Sequence, residues 1–405
     1  MYRNGLRLTV VLIVCAGQLA YSAETEKSIR IPPKASVTQN EISKLPSIPK
    51  LPDPFKFDNG KRMTEKKQWP ARRREISELL QKYVYGFKPA KPQIVTGSFA
   101  DDKITVSCTQ DGKSVSFTSS IQYPPAGKGP YPAVIFIGNW MTLDKQVLDE
   151  LNIAVIQFPN DDLGKQGGAQ DKGKGKFYDL YGSDCDAGSL IAWGWGVSRL
   201  IDVLEEMPEI NIDTSKLAVT GCSRYGKGAL VCGAFDERIA LTIPTESGAG
   251  GTSNWRQADA MLAAGTKVQT AGQIVTENTW MSRTFERFGD CVDKLPADQH
   301  MAAVMCAPRG LLIADNTEHV WLGGKACYTT AMAAHTVWQA LGVPDKMGFV
   351  QKGHDHCKFE EKEELKAFLT KFLLDGNADT DIFTTTGNFD KDLSEWIDWD
   401  VPVLK

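Results

Sequence analysis

The chain has 405 residues, 42% of them hydrophobic, with 46 basic and 50 acidic side chains and a formal net charge of −4. That is ample apolar material for one large core or two smaller ones. The charges are well mixed, with no basic face or tail, which argues against nucleic acid as the main partner.

At the N-terminus, Arg3 and Arg7 precede an apolar run from Leu8 to Ala20, and Ala20-Tyr21-Ser22-Ala23 offers small residues for cleavage. This predicts a signal peptide over residues 1–23. The run is too short to span a bilayer, and Val14 is too large for the position before a lipidated Cys15. The expectation is an exported protein without a membrane span, secreted or periplasmic. Residues 24–60 are rich in Pro, Lys and Ser and are predicted to be a linker followed by an extended arm. The remainder, 61–405, is predicted to be a single domain.

Trp69 to Tyr83 carries apolar residues at helical spacing, and Ile94 to Tyr123 alternates as an antiparallel meander does. Buried strands then alternate with helices. Ala133–Ile137, Ile153–Ile156, Leu217–Val219, Ile239–Ile243, Gly310–Ala314 and Met347–Val350 are the strands. Gly188–Met207 and a final segment from about Glu361 to Leu374 are among the helices. Such alternation predicts a mostly parallel sheet covered on both faces. The tail after Asp375 carries Trp396 and Trp399 and is predicted to wrap onto the domain.

Gly221-Cys222-Ser223-Arg224-Tyr225-Gly226-Lys227 joins a predicted strand to a small-residue helix. In the α/β-hydrolase fold such a turn is the nucleophile elbow, which exposes a serine and aims a helix N-terminus at the oxyanion. The general pattern is G-x-S-x-G. Here Tyr225 occupies the second glycine's place and Gly226 comes one residue late. In this fold the acid and histidine follow the serine in chain order, on loops after later strands. Glu246 follows the strand Ile239–Ile243, 23 residues after Ser223. His354 and His356 follow Met347–Val350 and compete for the base. His300, His319 and His335 are expected to be structural or surface residues. Cys222 precedes Ser223 and Cys357 follows His356; a bridge between them would hold His356 beside Ser223, which favours His356. Eight cysteines remain after the predicted signal, with no metal-finger spacing.

The run Gly221–Lys227 resembles the G-C-S-R-x-G-K signature of glucuronoyl esterases, carbohydrate esterase family 15. Val268-Gln269-Thr270, Ile274–Trp280, Ala307-Pro308-Arg309-Gly310 and Trp321-Leu322-Gly323 are similar to further stretches of that family. The tail Trp396–Pro402 resembles bacterial members. The resemblance covers roughly residues 50–405 and implies an α/β-hydrolase fold. It implies that Ser223, His356 and Glu246 form a catalytic triad, that Arg224 helps form the oxyanion hole, and that Cys222 pairs with Cys357. It implies that Lys227, Gln269, Glu277 and Trp321 bind the hydroxyls of a uronic acid. Some bacterial members carry the acid after the next strand, so Asp315 or Glu318 is an alternative. A second disulfide of fungal members finds Asn254 at its matching position.

The implied activity is hydrolysis of the ester between (4-O-methyl-)glucuronic acid of glucuronoxylan and an alcohol, as in lignin–carbohydrate linkages. No metal or organic cofactor is required. Another carbohydrate esterase, acetylxylan or feruloyl, and a non-catalytic carbohydrate-binding protein on this scaffold are the alternatives.

Overall fold

The computed structural model describes residues 34–139 and 141–405. The expected signal peptide, and the first part of the 24–60 arm, lie outside the described residues. Ten strands form one sheet: β1 (Ile94–Ala100), β2 (Lys103–Gln110), β3 (Lys113–Gln122), β4 (Tyr131–Ile137), β5 (Ala154–Phe158), β6 (Ile212–Cys222), β7 (Ile239–Thr245), β8 (Gly310–Asn316), β9 (Met347–Lys352) and β10 (Phe383–Thr385). Their order is β1-β2-β3-β5-β4-β6-β7-β8-β9-β10. The pairs β1–β2, β2–β3 and β3–β5 are antiparallel and every other pair is parallel. This is the α/β-hydrolase architecture, with the meander of the first strands at one edge.

Successive strand residues face opposite sides, and the two sides are covered by different helices. Val134, Ala218, Leu241, Leu312 and Val350 pack with Leu365, Phe368 and Leu369 of the helix Lys362–Leu373. Ile135, Val219 and Ile313 pack on the other side with the helices Ser189–Glu206, Arg224–Phe235 and Gly324–Leu341. Sixteen of the eighteen residues of Ser189–Glu206 are buried, because this helix lies between the sheet and further layers. Near-continuous apolar sequence is what such an all-round buried helix requires.

The helix at Trp69 runs to Leu80 and continues as a wider turn over Gln81–Tyr85. The arm carries a short helix, Gln39–Ser43, capped by Thr38, and buries Val37, Ile42, Leu51 and Phe55 in the main core. The tail does two things. Phe383–Thr385 joins β9 as the edge strand β10, and Trp399 stacks on His300 at 5.8 Å. The segment 246–309 between β7 and β8 is inserted above the sheet and carries the helices Trp255–Ala263, Ala271–Glu277 and Gln299–Val304. A buried Arg256–Asp298 pair at 2.8 Å braces it internally. Among the described residues no helix is long and apolar enough to cross a membrane.

Candidate active site

The C-terminal ends of β6, β7, β8 and β9 converge on Ser223, Glu246, Asn316 and His356. Ser223 sits between β6 and the helix Arg224–Phe235 with φ +58° and ψ −124°. A non-glycine residue there carries strain of about 1–3 kcal/mol. Two hydrogen bonds hold it: Ser223 N–H donates to Thr245 O at 2.9 Å, and Lys227 N–H to Ser223 O at 3.2 Å. The departure from the G-x-S-x-G pattern has a steric explanation. A Cβ at Gly226 would lie 2.6 Å from Thr245 O, so the close approach of helix to strand falls at this residue. The Tyr225 ring turns instead onto Gly138 after β4, where a Cβ would come within 2.8 Å of Cδ2. The elbow thus needs two glycines, Gly226 in the helix and Gly138 after β4.

Glu246 follows β7, is 3% exposed and also has a positive φ, of 43°. Its Oε2 accepts from His356 Nδ1 at 2.6 Å and from Asn316 Nδ2 at 3.2 Å. Its Oε1 accepts from the Cys357 N–H at 2.8 Å. One buried carboxylate thus fixes both the imidazole and the backbone after it. Cys222 and Cys357 form a disulfide with Cα atoms 5.8 Å apart, across a sequence separation of 135. Among the described residues Ser223 Oγ makes no hydrogen bond to His356. Catalytic hydrogen bonds of free enzymes are often long and tighten when substrate binds.

His354, the competing histidine, points into the protein. Its side chain is 3% exposed, with Nε2 3.4 Å from Glu361 Oε1 and Nδ1 3.0 Å from Asp355 O. His356 is 29% exposed at the surface of the site. Asp315 and Glu318 are not brought to His356. The Asp315 carboxylate is buried beneath the site, where Gln351 Nε2 donates to Oδ2 at 2.8 Å and Oδ1 has no partner. Burial pushes its pKa up to about 7. Glu318 lies over Gly353 instead.

Lys227 lies one helical turn beyond Ser223, and the structure buries it to 2% exposure rather than leaving it on a solvated face. Its Nζ donates to Ser247 O and stands 5.0 Å from the centre of the Trp280 ring. Burial, assisted by the Arg224 charge, lowers its pKa to about 7. Arg224 is exposed, with its guanidinium 5.7 Å from the same indole. Trp280 Nε1 donates to Gln166 Oε1 at 3.0 Å, which fixes the ring under both cations. Gln269 is half-buried and its N–H donates to Trp321 O at 3.1 Å, so these two candidate sugar-binding residues adjoin. Trp321 is 42% exposed. Glu277 is exposed at the end of its helix and accepts from Gln273 Nε2 at 3.2 Å.

His319 differs from expectation. His300 and His335 are packing residues, with Nε2 against Pro52 O at 2.8 Å and Pro344 O at 3.1 Å. The His319 ring, however, stands 5.4 Å from the His356 ring. Asn316, the other residue the sequence reading missed, also donates to His354 O at 2.8 Å and so ties Glu246 to the histidine loop. Cys222, Glu246, His356 and Cys357 place potential donor atoms within 4.8 Å of one another. Both sulfurs are in the disulfide, so no thiolate is on offer, and the remaining two groups already bond each other. The cysteines Cys108, Cys185, Cys232, Cys291, Cys306 and Cys327 are free.

Residues 106–342 match a family model described as glucuronyl esterase, fungi. A 4-O-methyl-glucuronoyl methylesterase of Hypocrea jecorina is 46% identical over 363 residues, 89% of this chain and 77% of the relative. One from Podospora anserina is 45% identical over 366 residues, 89% of this chain and 76% of that one. Among solved structures, the glucuronoyl esterase catalytic domain from Hypocrea jecorina superposes with TM-score 0.86 at 45% identity, covering 91% of this chain and 99% of its own. A serine-to-alanine mutant of the Sporotrichum thermophile enzyme, in complex with methyl 4-O-methyl-β-D-glucopyranuronate, superposes with TM-score 0.85 at 42% identity over 89% and 97%. A family 15 glucuronoyl esterase from Caldicellulosiruptor kristjansonii gives 0.75 at 31% over 90% and 100%. The matching family model is the fungal one, whereas the tail pointed to bacterial members. With near half of its residues identical to such enzymes across nine-tenths of its length, the chain belongs to the glucuronoyl esterase family.

Proposed function

We propose that this chain hydrolyses esters of glucuronic acid or its 4-O-methyl ether through a Ser223–His356–Glu246 triad. The observation that carries the reading is the 2.6 Å contact of His356 Nδ1 with buried Glu246, on a loop that a disulfide ties to the nucleophile elbow. With Nδ1–H donated to Glu246, Nε2 is the free base. It takes the Ser223 proton as Oγ attacks the uronoyl carbonyl, then gives that proton to the departing alcohol. Water, deprotonated by the same nitrogen, cleaves the acyl-enzyme and releases the uronic acid.

The negative charge on the tetrahedral oxygen falls to Arg224 and the N–H groups at the start of the helix Arg224–Phe235. A donor of this kind is worth about 10²–10³ in kcat. Lys227, Gln269, Glu277 and Trp321 are the proposed contacts to the ring hydroxyls. An indole face and fixed donors and acceptors suit a pyranose. The polymer substrate we assign is glucuronoxylan carrying lignin-alcohol esters, and the expected setting is outside the cytoplasm. The activity for which the relatives are named supports the ester class.

The test is hydrolysis of benzyl glucuronate beside benzyl galacturonate, an acetylated xylan and a feruloyl ester. Turnover of the glucuronate with little of the acetyl or feruloyl substrate is expected. The reverse preference would overturn the assignment of the uronate to the acyl side.

A further inference from the structure

Three rings meet beside Glu246. His319 and Trp321 lie 4.4 Å apart at 39°. Each meets His356 nearly at right angles, His319 at 5.4 Å and 76°, Trp321 at 5.6 Å and 78°. His319 is half-buried, and its Nε2 is shielded from solvent with no hydrogen-bond partner. Buried polar atoms are nearly always bonded. Here that nitrogen forms none, so what His319 offers the site is its ring.

We propose that His319 is a positioning residue which braces the His356 imidazole and the Trp321 indole in one fixed relation. The inference rests on the roles given above to Ser223, His356 and Trp321. The bond from Nδ1 to Glu246 holds His356 at one ring atom and leaves the ring free to tilt about that bond. His356 lies on an irregular loop and is 29% exposed, so little else opposes the tilt. Edge-to-face contact with the His319–Trp321 pair does, in the geometry that aromatic quadrupoles favour. Trp321 has the complementary weakness. It sits in a single short turn, Val320–Leu322, and is 42% exposed. The His319 ring supports one side of the indole. Removing His319 therefore releases the base and the sugar-facing ring together.

The test compares His319→Ala, His319→Leu and His319→Phe, with thermal melting to verify folding. Leucine fills the space without a planar ring and stands in for alanine if that variant does not fold. One assay is kcat and KM on benzyl glucuronate. The other is the rate of Ser223 labelling by a small fluorophosphonate, which needs the activated serine but no sugar. In the Ala and Leu variants kcat and labelling should both fall about tenfold, a modest fraction of the ~10²-fold cost of a 1 Å misplacement. KM should rise several-fold, and Phe should restore all three. Ala and Leu variants with kcat and KM within twofold of wild type would overturn the proposal. So would a Phe variant as impaired as Ala, because the nitrogen and not the ring would then be at work. A wild type that labels but does not hydrolyse the glucuronate ester defeats the substrate reading, while the labelling series still decides the role of His319.

Discussion

Replacing Glu246 by glutamine tests the proposed site at its most constrained point. The carboxylate is 3% exposed and accepts from three donors: His356 Nδ1, Asn316 Nδ2 and the Cys357 N–H. An amide of the same shape cannot satisfy all three. If its oxygen takes the Cys357 N–H, its NH₂ faces both Asn316 and His356. The imidazole then accepts at Nδ1 and carries its proton on Nε2, where it cannot act as base. If the amide turns over, its NH₂ opposes the Cys357 N–H, and a buried donor left unpaired costs about 1–3 kcal/mol. The first arrangement retains the fold better, so the loss should appear in turnover: about 10³–10⁴ in kcat, the scale of a wrong tautomer in a serine triad. Asp315 offers no substitute, because it faces Gln351 beneath the site and its pKa is raised to about 7 by burial. Glu246→Gln, Asp315→Asn and the double variant should be assayed on benzyl glucuronate, with melting curves for each. The double should match Glu246→Gln within a few-fold. A Glu246→Gln enzyme within tenfold of wild type, or an Asp315→Asn enzyme with the large defect, would refute the reasoning.

Ser223→Ala should remove fluorophosphonate labelling and nearly all turnover. His356→Ala should be similarly inactive, while His354→Ala should chiefly lower stability, since its ring is buried against Glu361; melting and turnover measured together separate the two effects. Removing the disulfide by the paired change Cys222→Ala and Cys357→Ala opens a link with a sequence separation of 135, for which chain entropy gives a loss of about 5 kcal/mol, readable by denaturant unfolding. Burial lowers the Lys227 pKa to about 7, well below its unfolded value of about 10.4. The unfolded chain then binds the extra proton between those values, so wild type should gain stability relative to Lys227→Met as pH rises through that window. Unfolding curves at pH 6.5 and 9.5 check this, and an unchanged difference would count against it.

The strand-to-helix pattern made the elbow, the acid after β7 and the histidine loop after β9 legible, because each falls where a parallel strand ends. Lys227 was legible only in part. Helical spacing puts it on the face of Ser223, but the insertion over 246–309, whose Ser247 and Trp280 close over it, is a tertiary event. Asn316 and His319 were missed for the same reason. Asn316 closes β8 and His319 lies in the loop after it, which has no periodic signal, and both matter only once they fold against a segment some 40 residues onward. The strand β10 was read as part of a wrap, since three residues, Phe383–Thr385, are too few to show alternation. Tyr225 departs from the motif, and the reason, its ring packed on Gly138, is likewise a contact between distant segments.

The disulfide changes how the two halves of the proposed reaction are connected. Along the backbone, Ser223 and His356 are separated by three strands of the sheet and the whole insertion. Through the sulfurs, the covalent route passes only Cys222 and Cys357. Their separation is therefore insulated from loosening elsewhere: fraying of the final helix or of the tail strand leaves the short path intact. What heat disturbs first at this site is then not the distance between nucleophile and base. It is the reach of Glu246, which is held to them by hydrogen bonds alone, so gradual thermal inactivation should be a failure of orientation before it is a failure of proximity.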